Sequence, residues 1–281
     1  MNVPSGAWAG RQILVLGCDG RAEWLVRLIR ARGGHARLQQ TTDRDPPDRG
    51  EWCVLLPGRV DGAGRVGGPD TAAVLAPAAA NQSAGVLAAA AAPEWLRAVR
   101  VPVLLYGDHP WFAWSNAVPT AEGAVAWALT ATPRTVAGSR IGVLGFGRVG
   151  RTVAHRLSLL GARVTVACRE DERPAAHAAG HRALSLNPRA CRRQDMIINT
   201  IPAPLVDESW LASWPSDCPA LDLASRPGGF TPAAARRLGN RLEHRDAIPA
   251  ALAPATAAEI LADTLRIMLE DHLRAVVPEK G

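Results

Sequence analysis

Three glycines, Gly145, Gly147 and Gly150, have the spacing of a phosphate-binding turn. They follow the apolar segment Arg140–Leu144 and precede an amphipathic segment that extends to about Leu160, which predicts a strand, a tight turn and a helix. In that context the first glycine permits the turn, the second lets the backbone approach a pyrophosphate, and the third allows the helix to pack closely on the strand. The sequence therefore predicts a dinucleotide site. Its residues in this turn are Gly145, Phe146, Gly147, Arg148, Val149 and Gly150.

The end of the next predicted strand, Arg163–Ala167, should decide between the two nicotinamide cofactors. NAD-binding proteins usually carry an acidic residue there, about 20 residues after the glycines, which binds the ribose 2′-hydroxyl. Cys168 and Arg169 occupy that place in this chain. Because a guanidinium can pair with a 2′-phosphate, the sequence favours NADP over NAD. The alternative is a solvated arginine without a ligand, which the neighbouring Glu170 and Asp171 keep open.

Two further loops follow buried strands of the same predicted sheet, Met196–Asn199 and Ala220–Leu223. Ligands of open α/β sheets bind beyond the carboxyl ends of the strands, so both loops are expected beside the nicotinamide. Ser225 and Arg226 could hold an anionic substrate, although an arginine in a Pro-Gly turn is also commonly structural. The cofactor-binding residues predicted in these loops are Asn199, Thr200, Ile201, Pro202, Asp222, Ala224 and Ser225.

The segment Trp114–Gly123 joins two runs of alternating strands and helices. Asn116 and Thr120 are candidates to cap a helix predicted over Pro119–Ala131. The functional alternative is that this helix start faces the cleft between two domains and contributes donors to a substrate carboxylate.

The strand and helix signals alternate along the chain, and the β/α order occurs twice, the second time from near Ala137. This rhythm predicts an α/β protein with two doubly wound, Rossmann-like domains joined by long helices. Residues 1–115 would form a substrate domain and residues 116–253 a cofactor domain, with a last helix at about 254–275 packing back on the first. Other predicted elements are the strands Ile13–Leu16, Trp52–Leu56, Gly85–Ala88, Val101–Tyr106 and His181–Leu186 and the helix Ala22–Ala31.

Composition excludes several classes of protein. The chain has 281 residues, of which 48% are hydrophobic and 21% charged, as in an ordinary globular protein. The most apolar region, Thr71–Leu96, is interrupted by polar residues and prolines, and the N-terminus lacks a secretory pattern, so a cytoplasmic protein without a membrane span is expected.

The net charge is +6, but 31 of the 32 basic residues are arginines spread over the chain, which is typical of GC-rich codon usage and argues against a nucleic-acid partner. The five cysteines have unpaired spacing and the histidines no metal-ligand spacing, so reduced thiols and no metal site are expected.

Four segments together resemble the family of dipicolinate synthase A subunits of spore-forming bacteria. They are Asn116–Gly123 (NAVPTAEG), Gly145–Gly150 (GFGRVG), Asn199–Pro202 (NTIP) and Asp222–Gly229 (DLASRPGG). The similarity runs from about Ile13 to about Leu269. The two eight-residue segments are specific, whereas the glycine pattern alone would not be.

The resemblance implies a dehydrogenase with the architecture of 2-hydroxyacid dehydrogenases. It implies that the enzyme acts in the mother cell with the flavoprotein B subunit of dipicolinate synthase. The implied reaction is the oxidation of a dihydrodipicolinate-type dicarboxylate of the lysine pathway to pyridine-2,6-dicarboxylate. An arginine at the position of Arg169 is also what the family shows, which agrees with NADP. A homo-oligomer is expected as well.

The expected reaction is aromatisation, in which a hydride leaves a ring carbon for the cofactor while a base removes a ring proton. Arg226 and Arg21 are assigned to the two substrate carboxylates and Asp19 to the base, with His109 as a second candidate base. The residues expected to act on the substrate are Asp19, Arg21, Asn116, Thr120, Ser225 and Arg226.

The chain departs from the family near its C-terminus. It has Ala255 where the family tends to have a lysine, and two family glycines are replaced in Ile248–Ala258. This departure supports an alternative in which the chain is an NADP-binding partner subunit without chemistry of its own. Another NADP-dependent oxidoreductase of the 2-hydroxyacid or shikimate type is a further alternative, although lysine-based versions are disfavoured because no lysine precedes Lys280.

Overall fold

A computed structural model describes residues 7–17, 19–39, 48, 50–56, 84–90 and 101–276. They belong to two compact α/β units, residues 1–116 with 249–281 and residues 117–248. Residues 249–253, which the sequence prediction assigns to the cofactor domain, belong to the first unit. Both units have parallel sheets, and the predicted Rossmann-like α/β fold is confirmed.

The elements are numbered in chain order. The strands are β1 (Gln12–Leu16), β2 (His35–Gln39), β3 (Glu51–Leu55), β4 (Ala84–Ala89), β5 (Val103–Leu105), β6 (Arg140–Leu144), β7 (Arg163–Cys168), β8 (Arg182–Ser185), β9 (Met196–Asn199), β10 (Ala220–Asp222) and β11 (Leu242–His244). The helices are α1 (Ala22–Ala31), α2 (Pro110–Ser115), α3 (Ala117–Ala128), α4 (Arg148–Leu159), α5 (Arg173–Ala178), α6 (Glu208–Leu211), α7 (Pro232–Leu238), α8 (Ile248–Leu252) and α9 (Pro254–Val276).

The first unit contains the sheet β2-β1-β3-β4-β5, in which the strands of every neighbouring pair are parallel. From β1 the chain passes to β2 on one side of β1 and then to β3 on its other side, so the strand order reverses at β1. Ligands of such sheets bind beyond the carboxyl ends of the strands at this switch point. The loop that carries Asp19 and Arg21 starts there. Helix α9 packs against α1 in the same apolar core, and Arg32 donates to Asp263 of α9 at 2.9 Å.

The second unit contains the parallel sheet β11-β10-β9-β6-β7-β8. In strand order this is the arrangement of dinucleotide-binding domains, with β6 first and the switch point between β6 and β9. Side chains alternate between the two faces of the sheet. Val143 and Ile198 pack with helices α3 and α4 on one face, whereas Leu144 and Ile197 pack with Trp210 on the other.

The junction between the units differs from the sequence prediction. Helix α3 starts at Ala117 rather than near Pro119, so Thr120 is a buried residue inside the helix and not its cap. Asn116 directly follows α2 and has helical dihedral angles (φ −69°, ψ −18°), unlike an N-cap residue in the extended region. The capping interpretation is therefore wrong for Thr120 and is not supported for Asn116.

Among the described residues, no helix is both long and apolar enough to cross a membrane. The described part of the chain also holds no group of three or more metal-ligating side chains. Its four cysteines, Cys53, Cys168, Cys191 and Cys218, are buried free thiols, and Cys18 lies outside the described residues.

Candidate cofactor site and strand-end network

Two of the three glycines in the phosphate-binding turn are required by the protein itself. Gly145 has φ +96°, and a Cβ there would lie 2.6 Å from Thr200 Oγ1. A Cβ on Gly150 would lie 2.3 Å from the carbonyl oxygen of Gly145. Both distances are too short for real contacts, so these glycines allow α4 to pack against the ends of β6 and β9.

Gly147 is different, because a Cβ built on it meets no protein atom within 4 Å. It is exposed, has an ordinary φ of −71°, and precedes α4 without any side chain capping the helix. The first N–H groups of a helix lack partners within the helix and attract anions. The open space at Gly147 and the uncapped helix start fit the pyrophosphate of a dinucleotide.

The other predicted residues of the turn differ in exposure. Phe146 is buried in the core, and its carbonyl oxygen accepts from Arg151 Nε at 2.8 Å, so only its backbone is available to a cofactor. Arg148 is exposed and Val149 half-buried. Thr200 Oγ1 donates to the carbonyl oxygen of Leu144 at 2.8 Å, which ties the end of β9 to the start of the turn.

Asn199 and Asp222 use their side chains inside the protein. Asn199 is fully buried, and its Nδ2 donates to Asp222 Oδ1 at 2.8 Å and to the carbonyl oxygen of Ile201 at 3.0 Å. The buried Asp222 carboxylate also accepts from the backbone N–H groups of Ala224 at 3.2 Å and Gly229 at 2.9 Å. These two side chains therefore hold the loops after β9 and β10 in place, and we assign them positioning roles.

His244 joins this network and was not predicted from the sequence. Asn199, Asp222 and His244 are register partners at the last positions of β9, β10 and β11. His244 Nδ1 lies 3.4 Å from Asp222 Oδ2, and the His244 side chain is 33% exposed. A partly exposed imidazole therefore lies beside the buried Asp222 carboxylate at this edge of the sheet. The only sequence signal is a polar residue ending each strand.

The loop after β10 presents the predicted anion-binding residues to solvent. Ser225 and Arg226 are exposed, and Arg226 has no acidic partner within 4.0 Å in the part of the chain that the structure describes. The loop turns back through a cis Arg226–Pro227 bond and a bond from the Gly228 N–H to the Ser225 carbonyl oxygen at 2.9 Å. A Cβ on Gly229 would lie 1.9 Å from Asn199 Nδ2, so the turn is fitted closely to the network beneath it.

Arg169 stands directly after β7 with its side chain 70% exposed. Its Nη2 donates to Glu172 Oε1 at 3.3 Å, and its Nε lies 3.8 Å from Asp171 Oδ1. The hydrogen bond to Glu172, with the charges of both carboxylates, raises the pKa of Arg169. Exposed pairs of this kind are weak, so a 2′-phosphate could compete with Glu172 for the guanidinium.

In the first unit, Asp19 and Arg21 form a pair that is largely shielded from solvent. Arg21 Nη2 donates to Asp19 Oδ2 at 2.5 Å, and the side chains of Arg21 and Asp19 are 5% and 18% exposed. The Tyr106 hydroxyl is buried near this pair, and burial raises the pKa of Tyr106. The Arg21 guanidinium is thus already paired inside the protein, which favours a role in orienting Asp19 over its predicted contact with a substrate carboxylate. Nδ1 of His109, the second candidate base, is buried and has no hydrogen-bond partner among the described residues.

The loop of Asp19 also lies against the start of α9. A Cβ on Gly20 would be 2.6 Å from the carbonyl oxygen of Ala250 and 3.3 Å from Pro254 Cβ. Ala255 follows Pro254 directly and is half-buried. Ala255, where the resemblance leads us to expect a lysine, therefore directly follows a residue that lies beside the loop of Asp19.

Comparisons with known proteins agree with this arrangement. Residues 117–210 match the NAD-binding domain of D-isomer specific 2-hydroxyacid dehydrogenases. The chain is 36% identical over 163 residues to the A subunit of dipicolinate synthase from Bacillus subtilis, a match that covers 56% of this chain and 54% of that protein. The match thus spans about half the length of the relative.

Solved structures extend the likeness to nearly the whole chain. The A subunit of dipicolinate synthase from Bacillus halodurans is 26% identical, with a TM-score of 0.78 over 94% of this chain and 99% of that one. The A chain of dipicolinate synthase from Bacillus subtilis is 24% identical, with a TM-score of 0.76 over 95% and 98% of the two chains, and shows the shared fold. The dehydrogenase-type domain supports an oxidoreductase that uses a nicotinamide cofactor. The resemblance of the four sequence segments is confirmed: the chain is similar in sequence and in fold to the A subunit of dipicolinate synthase, with a nicotinamide-binding domain of the 2-hydroxyacid dehydrogenase type at residues 117–210.

Proposed function

We propose that this chain is an NADP-dependent dehydrogenase that converts a dihydrodipicolinate-type dicarboxylate into dipicolinate. The observation that carries the proposal is the edge of the second unit's sheet. There the open turn at Gly147 follows β6, and the loop of Arg226 follows β10. The Asn199–Asp222 bond joins the end of β10 to the end of β9, the strand beside β6. The similarity to the A subunit of dipicolinate synthase supplies the substrate class.

The residues divide into three roles. NADP⁺, when bound, accepts a hydride. The N–H groups around Gly147 and Arg148 would hold its pyrophosphate, and Arg169 its 2′-phosphate. Arg226 would hold a substrate carboxylate, with Ser225 as a second donor, because its guanidinium is exposed and free of acidic partners among the described residues.

The first unit supplies the proposed proton acceptor. Asp19 would take the ring proton, with Arg21 fixing the orientation of its carboxylate through three side-chain hydrogen bonds of 2.5 to 3.1 Å. Asn116 and Thr120 remain proposed substrate-contacting residues. We propose further that the chain acts with the flavoprotein B subunit of dipicolinate synthase and forms a homo-oligomer. It would act in the mother cell on a lysine-pathway intermediate.

The second candidate function is an NADP-binding partner subunit without chemistry of its own. Ala255 favours it, because the family lysine is absent beside the loop of Asp19. Turnover by the isolated chain, compared with turnover by the chain plus a flavoprotein partner, separates the two functions. Turnover by the isolated chain would support the dehydrogenase, and turnover only with the flavoprotein would favour the partner role. Turnover by neither sample would favour another 2-hydroxyacid-type oxidoreductase of the kind matched at residues 117–210.

Calorimetry with successive ligands tests the proposal. We expect NADP⁺ to bind, dipicolinate to bind to the resulting complex, and Arg226→Ala to weaken the dipicolinate step about tenfold or more with NADP⁺ affinity unchanged, since one charge-assisted contact is lost. Arg237→Ala is the matched control, because Arg237 is exposed on α7 and its one ion pair among the described residues, to Glu208, is long at 3.8 Å. Equal dipicolinate affinity in wild type and Arg226→Ala would remove Arg226 from the substrate site.

Selectivity between the two cofactors is a separate prediction. Arg169→Ala should lower the preference for NADP⁺ over NAD⁺ by about tenfold, because the guanidinium is the expected partner of the 2′-phosphate. Glu172→Gln should have the opposite effect, since it removes the carboxylate that holds Arg169 Nη2. Dissociation constants for both cofactors measure the ratio. An unchanged ratio in Arg169→Ala would remove Arg169 from the 2′-phosphate site, and a wild-type preference for NAD⁺ would contradict the NADP assignment.

A further inference from the structure

A second concave surface lies at the amino ends of β6, β7 and β8, opposite the cofactor edge of the same sheet. It is a cavity of about 760 Å³. Six arginines line it: Arg140, Arg163, Arg182, Arg189, Arg192 and Arg193. Nothing in the proposed dehydrogenase reaction uses these residues.

The strand register brings three of the arginines together. Arg140, Arg163 and Arg182 are the first residues of three neighbouring parallel strands, and Arg140 and Arg163 are direct register partners. Arg182 pairs with Thr165, two residues beyond Arg163 on β7, and neighbouring strands lie about 4.8 Å apart, so the three backbone positions span about 12 Å. Arg189 and Arg193 extend the positive surface from the segment between β8 and β9.

Most of this charge has no counterion in the protein. Arg140 donates to Asp195 Oδ1 at 2.7 Å, and the hydrogen bonds from Arg140 lower the pKa of Asp195. Arg192 Nε donates to Ser213 Oγ at 3.4 Å. The remaining four, which are all exposed, have no carboxylate within 4.0 Å in the described ranges: Arg163, Arg182, Arg189 and Arg193. Like charges gathered on one concave surface repel one another, and a bound anion relieves that repulsion.

The wall of the cavity carries polar groups as well. Gln194 is buried and donates from Nε2 to the Ala190 carbonyl oxygen, which fixes its amide, while its Oε1 has no partner among the described residues. His181 lies in the wall with Nδ1 3.3 Å from Ser158 Oγ. Burial lowers the pKa of His181, which favours the neutral imidazole.

We propose that this cavity binds a small molecule that carries at least two phosphate groups. Guanidinium groups pair with phosphate in a two-pronged geometry, and several unpaired guanidinium groups spread over about 12 Å match several anionic groups rather than one. The cavity has the size typical of small-molecule pockets, whereas a nucleic-acid backbone requires an extended strip of charge. The proposal is independent of the dehydrogenase function.

Tripolyphosphate is the probe, used in calorimetry on the full chain without NADP⁺, because NADP⁺ itself carries phosphates and hydroxyls and would compete for this cavity. The arginine variants then distinguish binding in the cavity from binding at the cofactor turn. We expect binding that weakens as salt is raised, and an affinity at least tenfold lower in Arg163→Gln/Arg182→Gln. Arg236→Gln/Arg237→Gln is the matched control, because it removes the same charge from α7 and should bind as wild type does. Arg189→Gln tests a different wall and should also weaken binding.

Three outcomes would overturn the proposal. The first is no heat of binding with wild type at millimolar tripolyphosphate. The second is an equal loss in the α7 control, which would show attraction to net charge only. The third is tighter binding of a single-stranded oligonucleotide than of tripolyphosphate, which would make this surface a nucleic-acid site.

Discussion

Replacing Gly147 with alanine should weaken NADP⁺ binding by about ten- to a hundredfold and leave the free energy of unfolding within about 0.5 kcal/mol of the wild-type value. The protein itself does not need a glycine there, since φ is −71° and a Cβ would meet no atom within 4 Å. The bound pyrophosphate would need that space, because the backbone must approach it closely. The added methyl group should therefore lower cofactor affinity without lowering the stability of the fold.

Gly150→Ala provides the contrast. Its Cβ would lie 2.3 Å from the Gly145 carbonyl oxygen, so this variant should lose both stability and cofactor binding. Titration calorimetry and chemical unfolding on the two variants measure both quantities. NADP⁺ affinity that is unchanged in Gly147→Ala would mean that the cofactor does not approach the protein at this turn, and the dehydrogenase proposal would lose its basis.

The central strands of the second unit could be predicted closely from the sequence. Arg140–Leu144 and Met196–Asn199 have the same limits in the structure as in the prediction. Both strands are paired on either side and covered on both faces, so they consist of continuous apolar runs. β2 and β11 were missed because they are edge strands, and their sequences HARLQ and LEH carry no apolar run.

The candidate site was predictable only in part, for a related reason. Glycine spacing is local, so the turn at Gly145–Gly150 can be read from consecutive residues. The Asn199–Asp222–His244 network depends on which strands are neighbours and on their register, and long connections separate the three residues in the chain. The arginine-lined cavity could not be predicted for the same reason. Arginines occur along the whole sequence, and only the pairing of the strands shows which of them lie together.

Asp222→Asn should lower the free energy of unfolding by about 2–4 kcal/mol, because buried hydrogen bonds to a charged acceptor are lost and donors are left unpaired. Asp222 Oδ1 accepts from Asn199 Nδ2 and the Ala224 N–H, and Oδ2 accepts from the Gly229 N–H. Either orientation of the new amide places its NH₂ group against at least one of these donors. The substitution keeps the side-chain shape, so the loss comes from hydrogen bonding and charge rather than from packing.

Chemical unfolding of Asp222→Asn beside Asp217→Asn measures this loss. Asp217 is exposed and accepts only from Ser216 Oγ, at 3.1 Å, among the described residues, so its variant should stay within about 0.5 kcal/mol of wild type. Because the Gly229 N–H is anchored by Asp222, the loop of Arg226 should loosen as well, and dipicolinate binding should weaken more than NADP⁺ binding. Equal stability of the two variants would show that the buried carboxylate does not hold the loop, and this result would contradict the positioning role of Asp222.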